Sequence, residues 1–111
     1  MPIYITQGRY TRDAIKGMII KPEDRADAVS RLLAKAGGKL LGYYLTFGEY
    51  DFLVISELPN DTQAAAVLLA AATGGGTSDL RTTVAMTSTE AKGAFAAAGD
   101  LAPGFKSAGG T

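Results

Sequence analysis

Tyrosine, aspartate, arginine and lysine are the side chains left to do chemistry in this sequence, because it contains neither histidine nor cysteine. Without histidine there is no side chain that ordinarily titrates near neutrality, and the commonest metal and haem ligand is missing. Without cysteine there is no thiolate nucleophile, disulfide or iron–sulfur ligand. Tyr4, Tyr10, Tyr44 and Tyr50 can line a small-molecule cavity, and they serve equally well as packing at an oligomer interface. Arg9 and Arg81 each carry a planar fork that can hold a carboxylate or phosphate, or pair with an acid on the surface. Asp51, directly after Tyr50, can accept hydrogen bonds from turn amides or rim a pocket with its neighbour. The candidate ligand-binding set is therefore Tyr4, Arg9, Tyr44, Tyr50, Asp51 and Arg81. No catalytic residue, metal site or cofactor is assigned. Glu23 and Asp24, with Asp27, read as a solvated helix start. Gly74-Gly75-Gly76 lacks the lysine and following hydroxyl of a phosphate-binding loop and reads as a linker.

Those residues must be positioned by a single core, since 111 residues make one domain that buries roughly two-thirds of its unfolded surface. Hydrophobic residues make up 47% and charged ones 20%, as in an ordinary globular chain. The 11 basic and 11 acidic residues cancel, so the footprint that would bind a phosphate backbone is absent and nucleic acid is not expected as a partner. The opening Pro2-Ile3-Tyr4-Ile5-Thr6 reads as a strand rather than a signal peptide. The longest apolar run, residues 64–72, is far short of a membrane span. The expectation is a cytoplasmic protein with no membrane partner.

Residues 3–10 are rich in β-branched and aromatic side chains and predict a first strand. Thr11 is an N-cap for a short helix that Pro22 interrupts, and helical spacing resumes over residues 23–36 until Gly37-Gly38. Residues 39–47 and 51–58 are two strands about the turn Gly48-Glu49-Tyr50. Asn60 with Gln63, and Thr87 with Glu90, mark the starts of helices to about residue 73 and about residue 98, with a strand over residues 80–86 between them. Residues 99–111 are poor in apolar side chains and predict a poorly ordered tail after a domain of residues 1–98.

This order predicts an α+β, ferredoxin-like βαββαβ antiparallel sheet with its helices on one face, plus a short C-terminal helix. The first and third strands would be central. Period-two alternation gives them apolar side chains on both faces, although helices can cover only one. The aliphatic set of Ile3, Ile5, Leu53, Ile55, Val84 and Met86 is expected under the helices. The mixed set of Tyr4, Thr6, Tyr44, Thr46, Phe52, Val54, Ser56, Arg81 and Thr83 is expected against a second copy. Each large apolar side chain left in water forgoes about 1.5–3 kcal/mol, so the sheet predicts a homo-oligomer, at least a dimer, with any site where the mixed face meets its partner. The placement of Tyr44 assumes an odd-length hairpin loop, because a one-residue slip exchanges the faces of the second strand.

The hairpin Gly42-Tyr43-Tyr44-Leu45-Thr46-Phe47-Gly48-Glu49-Tyr50-Asp51-Phe52-Leu53-Val54 resembles the GYD domain family, whose signature is Gly-x-Tyr-Asp. Tyr4-Ile5-Thr6, Gly37-Gly38-Lys39 and Leu80-Arg81-Thr82-Thr83 extend the likeness over roughly residues 3–95. The resemblance implies a ferredoxin-like domain of the dimeric α/β-barrel type, from a family without an established biochemical role and with no catalytic residue to carry over. A similar hairpin occurs in the ligand-sensing modules of leucine-responsive bacterial regulators, whose DNA-binding helix-turn-helix this chain lacks. Two readings follow. One is a non-catalytic homo-oligomeric module that binds a small metabolite at the subunit interface. The other is a cofactor-free enzyme of oxygenase or isomerase type acting through tyrosine or aspartate.

Overall fold

The computed structural model describes residues 1–110. Among them, Ile3–Tyr10 forms β1, Arg12–Ile20 α1, Arg25–Lys35 α2, Lys39–Leu45 β2, Phe52–Glu57 β3, Asp61–Ala72 α3, Thr77–Ala85 β4 and Ser88–Leu101 α4. The strand order is β2-β3-β1-β4 with every neighbour antiparallel, which is the ferredoxin-like arrangement with β1 and β3 in the centre. None of the helices among the described residues is long and apolar enough to cross a membrane.

Helix starts follow their capping side chains. The Thr11 hydroxyl accepts from the Ala14 amide at 3.3 Å, Asp24 from Ala26 at 3.0 Å, and Asn60 from Gln63 at 2.9 Å. Thr87 and Glu90 form a reciprocal capping box. Pro22 lies between α1 and α2, where its missing amide ends one helix before Asp24 opens the next. Two boundaries depart from expectation. β4 begins at Thr77, because a bulge lets pairing continue past Asp79 to Tyr10↔Thr77. The alanine-rich α4 runs on to Leu101, just before Pro103, with the Ala102 amide donating to the Ala98 carbonyl at 2.8 Å. Of the expected tail, residues 102–110 are exposed and Thr111 lies outside the described residues.

The two faces of the central strands are the reverse of the expected assignment. Tyr4, Phe52, Val54 and Ser56 are buried beneath the helices, in the layer that holds Leu33 of α2, Leu58 and Ala64 of α3. Ile3, Ile5, Leu53 and Ile55 point the other way and stay half-buried. Alternation separates two sets of side chains without saying which one packs; here the depth of the layer decides. α3 presents small alanines, and Gly8 leaves room for a ring, since an added Cβ there would lie 2.7 Å from both Phe52 Cζ and Leu80 Cδ2.

The second strand also slips. Leu41 is an extra residue between the pairs Leu40↔Ser56 and Gly42↔Ile55, and the hairpin turns on residues 47–50, with the Thr46 amide donating to Asp51 O at 2.9 Å. The loop is thus even in length, which pairs Tyr43 with Val54 and Tyr44 with Leu53. Tyr44, Arg81 and Thr83 accordingly share the open face with Ile5 and Leu53. For Tyr44 the slip and the reversed faces offset each other.

Gly8→Ala should therefore destabilise the domain by about 1–3 kcal/mol through overpacking against Phe52. Leu33→Ala, which opens a gap under α2, should lose about 2–5 kcal/mol. Equilibrium urea unfolding reads both, and a Gly8→Ala protein as stable as the parent would contradict the close approach.

Candidate functional site

α2 packs along β2 and α3 along β4, so the middle of the sheet is roofed from its two sides and a cavity of about 250 Å³ remains over β1 and β3. Tyr4, Thr6, Val54 and Ser56 form its floor, Val29 and Leu33 one wall, Val67 and Leu68 the other. Most polar groups of the floor are already engaged. The Tyr4 hydroxyl donates to Asp61 Oδ1 at 2.7 Å, a bond that, with burial, holds the phenol above its ordinary pKa. Thr6 and Thr82 bond hydroxyl to hydroxyl at 3.0 Å.

The end of the cavity is different in kind. Tyr10 and Tyr43 hydrogen-bond through their hydroxyls, and their rings flank Phe52 at 5.0 and 6.1 Å between centroids. Burial raises the Tyr43 pKa, reinforced by the bond to Tyr10, while the nearby Arg25 guanidinium pulls in the opposite direction. The Thr77 hydroxyl is buried there without a hydrogen-bond partner among the described residues. Tyr10, Arg25, Gly76 and Thr77 also line a wider recess of about 520 Å³ that adds Lys21 and Glu23. The arrangement is an apolar chamber with a hydroxyl-rich, cationic neck. It can seat a small molecule and orient one polar end.

Of the candidate residues read from the sequence, Tyr4 lines this cavity. Arg9, Tyr50 and Arg81 line a separate recess of about 360 Å³ near the hairpin tip. There Arg9 Nε donates to the Glu49 carbonyl at 2.8 Å, its guanidinium lies 5.9 Å from the Tyr50 ring centroid, and Asp79 stands 3.9 Å away. Asp51 accepts from the Tyr10 amide at 2.9 Å and its own amide donates to Gly8 O at 2.8 Å, which makes it a tie between hairpin and β1. Tyr44 is exposed on the open face and crosses Gly42. A single site joining Tyr4, Tyr44, Phe52 and Arg81 on one face does not form, because Tyr4 and Phe52 point to the opposite side from Tyr44 and Arg81. Tyr43, Arg25 and Thr77 were missed. Counting a four-residue hairpin loop would have placed Tyr43 beside Val54, whereas nothing in the local sequence distinguishes Arg25 from a solvated helix-start charge.

A ferredoxin-like α+β domain with a chamber between its sheet and its helices defines the class. The chain belongs to the GYD domain family, whose model matches residues 4–95. Among solved structures, 5 chains match. TTHA0845 from Thermus thermophilus is 16% identical, with 79% of this chain and 96% of that chain covered at a TM-score of 0.51, a likeness of fold alone. FFRP-DM1 is 14% identical, with 78% of this chain and 100% of that chain covered at a TM-score of 0.47. No curated protein matches the sequence.

The raised tyrosine pKa values fix the sign of an alkaline response. The unfolded chain releases these protons near the ordinary 10.0 while the folded one keeps them, so their contribution is intact below that pH and is lost as pH rises above it. Stability measured by urea unfolding should therefore fall between about pH 9 and about pH 11, and less steeply in Tyr43→Phe. Equal slopes in parent and variant would show that Tyr43 carries none of the effect.

Proposed function

We propose that this GYD domain is a non-catalytic, homo-oligomeric module that binds a small molecule in the chamber between its sheet and helices. The observation that carries the reading is the chamber itself, whose helical walls are apolar and whose one charged side chain, Arg25, lies at its end beside Tyr10, Tyr43 and Thr77. Its volume lies just under the about 300–1,000 Å³ common for ligand sites, which suits a compact metabolite. The second reading, a cofactor-free oxygenase or isomerase working through tyrosine or aspartate, draws on the same tyrosine pair. A phenol whose pKa is raised is a better hydrogen-bond donor than proton acceptor, and Asp51 is engaged in the hairpin. Both points favour binding over catalysis.

Assembly is supported by what the single chain leaves uncovered. Ile3, Ile5, Leu53 and Ile55 form an apolar centre on the open sheet face, with Lys39, Glu57 and Arg81 around it. Four strands of about eight residues give that face a projected area of roughly 500 Å², against about 800 Å² per partner in a standard interface. α4 supplies further area. Its 14 residues reach about 21 Å, it packs little against its own domain, and Phe95 and Leu101 are exposed along it. We place a second copy against the open face, with α4 laid across it.

Native mass spectrometry of the purified protein tests both parts. The expected result is a dimer or larger assembly, reduced to a folded monomer by Ile55→Lys; a parent protein that is monomeric at tens of micromolar would overturn the assembly. For the ligand, a compound at 100 times its Kd stabilises the fold by about 2.7 kcal/mol, which raises Tm by about 10 °C or more in a domain of this size. A broad metabolite screen in which nothing co-purifies and nothing raises Tm would overturn the binding reading.

A further inference from the structure

We infer that the ligand of the chamber is a small amphipathic acid, its carboxylate held at the neck by Arg25, Tyr10 and Tyr43 and its apolar body lying between Val54 and the two helices. The inference rests on the small-molecule reading above and adds the chemical class.

Hydrogen-bond supply at the neck supports it first. When two phenols bond to each other, one proton is used and the other remains to be donated. The Tyr10 and Tyr43 hydroxyls bond to each other and Arg25 is a further donor to Tyr43, so one phenol O–H still needs an acceptor. The buried Thr77 hydroxyl has no partner either. Arg25 adds guanidinium donors beside Tyr43. At this corner the guanidinium offers only donors, one phenol O–H is spare and the Thr77 hydroxyl can turn to donate, and a carboxylate, with two oxygens and about four lone-pair sites, answers all three.

Charge supports it independently. The titratable groups of the adjoining recess beyond the tyrosines are Lys21, Arg25 and Glu23, a surplus of one positive charge. Glu23 stands 3.4 Å from Arg25, two residues away in sequence, and both side chains are substantially solvated. Such a surface pair contributes about 0–1 kcal/mol, so it yields readily to a ligand carboxylate that also bonds the tyrosine pair.

Apolarity decides the rest of the molecule. Away from the neck the lining carries no charged side chain, and its polar groups are the hydroxyls of Tyr4, Thr6, Ser56 and Thr82, which argues against dicarboxylates. The chamber, of about 250 Å³, is compact. That suits an aryl or medium-chain acid.

Matched pairs test the inference in the full chain: phenylacetic acid with 2-phenylethanol, indole-3-acetic acid with 3-methylindole, octanoic acid with octanol. Isothermal titration calorimetry should give the acid of at least one pair a Kd ten-fold or more below that of its neutral partner. Arg25→Met and Tyr43→Phe should remove this preference while leaving the neutral compound's affinity within about two-fold, and Arg25→Lys should retain part of it. Lys35→Met, an exposed cation at the far end of α2, should leave it unchanged. Circular dichroism melting of each variant separates lost recognition from lost folding, and Arg25→Lys keeps the test decisive if Arg25→Met does not fold. A neutral compound that binds as well as its acid overturns the inference and leaves the binding reading standing. Failure of every compound in every pair overturns the inference, whereas the binding reading falls only if the broad metabolite screen is empty as well.

Discussion

One carboxylate sets the geometry on which the rest of the domain depends. Asp51 receives the Tyr10 amide on its side chain while its own amide donates to the Gly8 carbonyl, so the β2–β3 hairpin is fastened to the end of β1 by two bonds of 2.9 and 2.8 Å. Both are made where β1 leaves the regular ladder, at the bulge opposite Asp79. With the hairpin held there, Phe52 must lie over Gly8, and Tyr43 must fall on the same side as Phe52. Gly48 lets the chain make this turn, at φ 144°, a conformation that side chains rarely adopt. The signature residues of the hairpin thus act on the chamber at a distance, by register rather than by contact.

The chamber follows from that register and from the smallness of α3. A helix carrying leucines where Ala64 and Ala71 stand would fill the space above β1, and the sheet would be sealed as an ordinary core. Alanine lets the backbone stay close at its edge while leaving the centre open. Tyr4 steadies the arrangement from below, because its hydroxyl ties the floor to the first turn of α3 through Asp61. The exposed Ile15, Ile19 and Ile20 of α1 and Phe95 of α4 belong to the same picture: this chain concentrates its closest packing around Tyr4, Leu33 and Leu58 and leaves much apolar surface uncovered.

Element order and helix starts were legible because they depend on local chemistry. Thr11, Asn60 and Thr87 cap in the structure where their side chains and spacing said they would. The central placement of β1 and β3 followed from topology alone. The faces were not legible, for a specific reason: both sets carry large side chains that can pack, Ile3 against Tyr4 on β1 and Leu53 against Phe52 and Val54 on β3, so either set can be inside. What separates them is the room made by Gly8 and Ala64, which are distant in sequence and meet the sheet only after folding. The hairpin adds a second obstacle, since its even loop exchanges the sides of Tyr43 and Tyr44, and the bulge at Leu41 shifts Lys39 and Leu40 again, with no signature in composition. Arg25 was hidden differently. A single basic residue beside the acids of a helix start carries no signal of its own, and only folding brings it to the recess beside Tyr10 and Thr77.

The two faces of the sheet are not independent, because β1 and β3 alternate between them. Ile3 and Ile5 interleave with Tyr4 and Thr6, and Leu53 and Ile55 with Phe52, Val54 and Ser56. A partner packed on the aliphatic side would hold these strands flat and in register, and that same register keeps Tyr43 beside Tyr10 and the chamber floor in place. Sheets with apolar residues on both sides resist register slips only where at least one side is buried. Burial of Tyr4, Phe52, Val54 and Ser56 under the helices already fixes that register in the single chain, and a second copy on the aliphatic side would reinforce it. The aliphatic face lies behind the chamber floor and lines none of the chamber.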